Sequence, residues 1–119
     1  MTVEADIFNA LKTLVNNRVY PDLNDAATVT APYIVYQEIS GEEPVFLEQA
    51  EPSKENGRFQ VAVWATTRAA SKALAKQVTT AMVMASTFQA KPIGGKTSVI
   101  DEDTKLRGTR QDFTVWSTR

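Results

Sequence analysis

The chain has 119 residues, 43% of them hydrophobic and 23% charged, with a net charge of −1, which is the profile of one soluble domain able to bury its own core. It contains no histidine and no cysteine, which excludes disulfides, thiol nucleophiles, cysteine-ligated metals and the imidazole that most often serves as general base. The near-zero charge argues against a dedicated nucleic-acid binder, no apolar run is long enough to span a membrane, and Met1–Asp6 lacks the basic and apolar regions of a secretory signal, so the cytoplasm is the expected compartment.

Val3, Ile7, Leu11, Leu14 and Val15, with Phe8 beside them, recur at helical spacing and predict a helix from about Val3 to Asn17. Thr2 is the expected N-cap, and Glu4 and Asp6 suit the first turn. Asn16-Asn17 ends the helix, and Arg18 is placed to meet its last carbonyls. Val19–Asp22 reads as an extended exit into a turn, and residues 22–31 as loop. Tyr33–Ile39 is dense in β-branched and aromatic residues and predicts a strand that Ser40-Gly41 closes. Residues 42–57 change texture, with Glu42, Glu43, Glu48, Glu51 and Glu55 interrupted only by Val45-Phe46-Leu47. They predict a short strand near 45–49 and an exposed acidic loop ending at the Asn56-Gly57 turn signal.

Arg58–Trp64 alternates, with Phe59, Val61 and Val63 on one face and Arg58, Gln60, Ala62 and Trp64 on the other. Thr66 or Thr67 then caps a second helix to about Ala85, whose apolar stripe is Ala70, Leu74, Val78, Ala81, Met82 and Ala85. Pro92 and Gly94-Gly95 mark residues 89–95 as loop. Lys96–Ile100 predicts a strand, Asp101-Glu102-Asp103 a turn, and Lys105–Ser117 a long strand with Gly108 as a bulge. The order is α-β-β-β-α-β-β. The expected fold is α+β, a mostly antiparallel sheet of about five strands with two helices on one face, in a single domain over 1–119.

Candidate chemistry is sparse. Asp101, Glu102 and Asp103 could coordinate Mg²⁺, but three consecutive acids on a strand-to-strand turn are far more often a solvated hairpin tip. Gly94-Gly95-Lys96-Thr97 lacks the first glycine of a phosphate-binding loop and precedes a strand. Lys105, Arg107, Arg110 and Arg119 form a basic stretch near Trp116, suited to phosphate or to partner carboxylates. Trp64 and Trp116 lie on the strand face opposite the aliphatic one; either helices cover them or they form a shared surface patch. No cofactor or metal is expected. Charge is divided along the chain: residues 1–60 hold ten acids and four bases, and residues 61–119 hold four acids and nine bases. That division suits head-to-tail contacts between copies if folding keeps the halves apart. The expected contact residues are Glu42, Glu43, Glu48, Glu51, Trp64, Arg107, Arg110 and Trp116.

Several segments together resemble one family. Arg18-Val19-Tyr20-Pro21-Asp22 follows the first helix, and Ala31–Gln37 leads to Ser40-Gly41-Glu42. Arg58–Ala65 runs into Ala69–Ala75, and the chain closes on Arg110–Trp116. In order and spacing, over roughly residues 3–117, they resemble the tailed-phage tail completion, or tail terminator, proteins common in prophages. The resemblance implies a non-enzymatic structural protein that caps the tail tube and joins it to the head. It implies rings, commonly of six subunits, around the channel through which DNA leaves, with a tail-tube protein and a head-connector protein as partners. It implies assembly in the host cytoplasm, a final place at the tail–head junction of the virion, and no catalytic residues. The alternative is an adaptor domain of a cellular complex with the same architecture.

Overall fold

The computed structural model describes residues 2–23, 29–40 and 54–118. Helix α1 spans Val3–Leu11, with the Thr2 hydroxyl accepting from the Ala5 amide at 3.1 Å. It is shorter than its periodicity suggests, because the chain tightens into a 3₁₀ turn over Lys12–Leu14. Asn16 and Asn17 then adopt left-handed backbone (φ 54° and 68°), which ends the helix. Arg18 does not serve the helix end; its Nε donates to the Pro32 carbonyl at 2.9 Å, tying the exit of the first helix to the start of the second strand.

Strand β1 is Val19–Pro21, β2 Tyr33–Ser40 and β3 Lys54–Ala65. Helix α2, Arg68–Met84, follows, capped by Thr67, and then come β4, Gln89–Ile100, and β5, Arg107–Thr118. The sheet order is β1-β2-β3-β5-β4. All neighbours are antiparallel except β1 and β2, which run parallel with Val19 opposite Ile34. The order α-β-β-β-α-β-β therefore holds, but β1 supplies its first strand. The strand expected near 45–49 lies outside the described residues.

Three further expectations change. Asn56-Gly57 is not a turn: both residues sit inside β3, opposite Trp116 and Val115, and the Asn56 amide donates to Thr114 Oγ1 at 2.7 Å. The acidic stretch thus gives way to strand by Lys54. Residues 89–95 are strand, not loop. Pro92 is tolerated because β4 is an edge strand, where a missing N–H costs no ladder bond. Gly94, at φ +68°, lets the strand bulge where its register against β5 shifts between Ile93 and Thr97. The buried Gln111 amide holds that bulge, donating to the Ile93 and Gly94 carbonyls at 3.0 and 3.2 Å. Gly108 is not a bulge; it pairs in register with Trp64 and Val99. A Cβ there would lie 2.7 Å from Val99 Cγ2 and 2.8 Å from Trp64 Cζ3, so only glycine lets those side chains close over the strand.

Alternation sends Phe59, Val61 and Val63 of β3, Phe113 and Val115 of β5, and Ile34 of β2 to one face, where each is at most 2% exposed. Ile7 and Leu11 of α1, with Leu74, Val78 and Met82 of α2, complete this core. On α2 the buried stripe includes Ser71 and Ala75, while Ala70 is exposed. Each large side chain removed from water there contributes roughly 1.5–3 kcal/mol. Ser71 Oγ and Thr109 Oγ1 lie 2.7 Å apart, a buried polar pair that fixes α2 over β5.

Candidate interaction surface

Both helices pack on the face just described, so among the described residues no helix covers the opposite face of the sheet. Tyr20 on β1, Tyr33, Val35 and Gln37 on β2, and Gln60, Ala62 and Trp64 on β3 point to it by the two-residue period. Arg110, Asp112, Thr114 and Trp116 on β5 continue it. At one end Tyr33 stacks on Trp64, ring centroids 6.5 Å apart at 25°, and meets Tyr20 edge-on at 6.2 Å and 74°. These neighbours leave Tyr33 only 7% exposed although no helix covers it. Burial pushes its hydroxyl above its ordinary pKa, and the negative charge of Asp101 and then Tyr20 add to the rise.

Beside this cluster is a shallow depression of about 340 Å³, bounded by Asp22, Leu23, Gln37, Val99 and Arg110. Leu23 is 62% exposed. Arg110 is exposed and makes no ion pair among the described residues. The centre of the face is different. Arg58 pairs with Asp112 at 2.7 Å between β3 and β5, while its Nε is buried without a partner.

The sequence-predicted contact residues are dispersed. Trp64 and Arg110 share the depression. Trp116 lies on the same face, opposite Asn56 and Gln89. It is eight residues along β5 from Gly108, the partner of Trp64, a separation of about 27 Å at the rise of an antiparallel strand. Both tryptophans therefore face away from the helices, yet they do not form one patch. Arg107, three positions from Arg110, turns to the other side. There it lines a separate depression of about 180 Å³ with Arg68, Ser98 and Ile100. Glu42, Glu43, Glu48 and Glu51 lie outside the described residues.

The acidic turn carries a structural duty: Asp101 Oδ1 accepts from the amides of Asp103 and Thr104 at 3.0 and 3.4 Å. Among the described residues no cluster of three acidic side chains is arranged to hold a metal, and no helix is long and apolar enough to cross a membrane. Sequence reasoning missed Tyr20 and Tyr33. Their only signal is that each lies beside a proline in an extended segment, and the parallel pairing that brings them together is non-local.

Comparison with protein-family models gives a match over residues 8–118 to the family described as Tail completion protein gp17. The matched span runs from within α1 to the end of β5. No curated protein matches the chain.

Proposed function

The chain belongs to the tail completion protein gp17 family, a phage tail structural family, and on that premise we propose that it caps the tail tube and joins the tail to the head as a ring of copies, without enzymatic activity. The observation that carries this reading is the family match over 8–118, which takes in all five strands and α2. The sheet face opposite the helices supports it, because Trp64, Tyr20, Leu23 and Arg110, which makes no ion pair among the described residues, form a mixed aromatic and cationic surface of the kind partners cover. The proposed partners are further copies of the chain, commonly six in relatives, a tail-tube protein and a head-connector protein. DNA passes the ring without specific binding. Assembly takes place in the host cytoplasm and ends at the tail–head junction, and residues 1–119 act as one domain. Trp64 and Arg110 on the open face, Trp116 at its far end, Arg107 beside Arg68, and the acids Glu42, Glu43, Glu48 and Glu51 are the proposed contacts.

The ring forms on the tail, not in free solution. A specific interface buries about 800 Å² per partner, and the aromatic residues of the open face are split between the Tyr20–Tyr33–Trp64 end and Trp116 at the other. Light scattering against concentration is expected to show a monomer or weak oligomer; a stable dimer closed by a large apolar interface would contradict this. Electron micrographs of tails assembled without the protein are expected to show overlong tails or tails detached from heads. Normal tails joined to heads would overturn the function itself.

A further inference from the structure

We propose that the C-terminal tip of α2, Val83 and Met84, seats in the depression on the open sheet face of a second copy of this chain. The inference rests on the ring reading above and names the contact by which copies join.

Knob and depression are complementary in shape and polarity. Met84 is 76% exposed and Val83 48%, so the last turn of α2 ends in an apolar knob held out in water. Leu74, Val78 and Met82 form the buried stripe of the helix, and the knob stands off it. No charged residue occurs from 77 to 90, so the knob can be covered without burying a charge. The depression of about 340 Å³ has Leu23, Tyr33, Val35, Ala62, Trp64 and Val99 as its apolar lining. It admits side chains but not the body of a helix, which is about 10–12 Å across. A methionine thioether suits a wall of aromatic rings, here Trp64 stacked on Tyr33.

Charge agrees with shape. The last carbonyls of a helix have no intrahelical partner and carry the negative end of its dipole. In α2 no basic residue lies in the last turn, and Ala85 leaves the helix in extended backbone (φ −63°, ψ 141°). Arg110 in the depression is exposed and makes no ion pair among the described residues. Its guanidinium donates to those carbonyls when the knob is seated. Asp22, the acid of the lining, accepts from the hydroxyl of Ser86, which is exposed just beyond the helix.

The fold keeps a chain's own knob from its own depression. Helix α2 lies on the covered face of the sheet and the depression on the open one. The two are also at opposite ends. The chain leaves β3 beside Trp64 to begin α2, and it returns to the sheet at Gln89, which pairs with Trp116. That end is about 27 Å along β5 from the Trp64 end. The contact therefore joins different surfaces of two copies, and it propagates head to tail as a ring requires. Two side chains in one depression cover far less than the about 800 Å² per partner of a standard interface. Copies then join firmly only where the tail concentrates them.

The absence of cysteine makes the test direct. Thr87→Cys places a thiol beside the knob and Gln37→Cys one on the wall of the depression, both at exposed positions. The two single variants are mixed at high concentration with a short bis-maleimide, and intact mass separates the mixed dimer from dimers of either variant alone. We expect several-fold more mixed dimer than when Gln37→Cys is mixed with Ala69→Cys, at the other end of α2. The excess should vanish when Met84→Asp is added to the Thr87→Cys chain, and fall when Arg110→Glu is added to the Gln37→Cys chain. Met84 and Arg110 are exposed, so thermal unfolding of both variants should stay close to that of the parent. Mixed dimer no greater than the control overturns the inference, and so does an excess that survives Met84→Asp. A Gln37→Cys thiol that reacts with no maleimide means that the chain itself fills the depression, which overturns it too. In tails assembled from the two variants, capture of Gln37→Cys by another tail protein in place of a second copy does the same. Tails completed normally by the Met84→Asp variant remove only this contact, whereas normal tails in the absence of the whole protein remove the ring reading.

Discussion

One sheet presents two faces built by the same alternation, and they are held together by different physics. On the helix side, Phe59, Val61, Val63, Phe113 and Val115 are at most 2% exposed and share one buried core with residues of α1 and α2. On the other side the same strands offer Trp64, Arg58, Arg110, Asp112 and Trp116, none of them fully buried. There an aromatic stack at one end and a half-buried ion pair at the centre take the place of a packed layer. The covered face decides whether the chain folds, and the open face is free to change with whatever it meets. The difference teaches that a residue's role follows from its parity in a strand more than from its chemical type: Phe113 and Trp116 are both large aromatics on β5, three positions apart and on opposite faces.

The largest expected effect tests that contrast directly. Phe113→Ala should cost about 3–5 kcal/mol in a urea or thermal unfolding experiment, since it opens a cavity in the core. Trp116→Ala should cost markedly less. Equal losses would mean that the open face is as tightly packed as the covered one. Gly108→Ala comes next. Its Cβ would enter the space held by Trp64 and Val99, a strain of about 1–3 kcal/mol for overpacked sites. In a Trp64→Ala background the penalty should shrink, and a double-mutant cycle measures the coupling. Additive losses would show that Gly108 is required for some other reason.

These two sites also mark where the sequence was legible. Phe59-Val61-Val63 and Phe113-Val115 reveal the buried face by simple alternation, and Thr2 and Thr67 announce both helix starts. The same alternation places Trp64 and Arg110 on the other face, so half of the candidate site could be read in advance. What failed depended on partners distant in the chain. Asn56-Gly57 has the local chemistry of a turn, but pairing with Trp116 and Val115 overrides it. The Pro92–Gly95 stretch reads as loop because its punctuation is tolerated only at a sheet edge, and edge position is a property of the topology. The three residues of β1 are too few to show a period, so the Tyr20–Tyr33–Trp64 cluster emerges only once β1 is paired. The separation of Trp64 from Trp116 is likewise a matter of register.

A smaller effect lies at the seam between α2 and β5. Ser71→Ala leaves the Thr109 hydroxyl without its 2.7 Å partner in a buried setting, at a cost of about 1 kcal/mol. Ser71→Ala combined with Thr109→Val removes both polar groups and should be close to neutral. If the double variant loses as much as the sum of the singles, the pair acts through packing and not through its hydrogen bond. This seam is a polar link within the covered layer, so it sharpens the comparison from the opposite side: a fully buried polar contact under the helix is expected to matter more than the half-buried Arg58–Asp112 pair on the other face.

The least perturbing test uses two tyrosines on one strand, Tyr33 on the open face and Tyr36 on the covered face, each 7% exposed. Burial raises both hydroxyls above 10.0; Asp101 and then Tyr20 add to Tyr33, and Glu4 and then Asp22 add to Tyr36. A raised folded pKa means that the folded chain holds its proton where the unfolded chain has released it. The resulting stability is therefore full below the unfolded value near 10 and is lost as pH rises through the folded values. Neither Tyr33→Phe nor Tyr36→Phe should alter the pH dependence of stability near neutrality. Each should flatten its decline in alkali, as read by denaturant unfolding across a pH series. Because burial is the leading cause at both sites, the two variants should behave alike despite their opposite faces. A variant curve that falls in parallel with the parent would mean that the ring is already open to water, and for Tyr33 that would break the case that its aromatic neighbours seal this end of the open face.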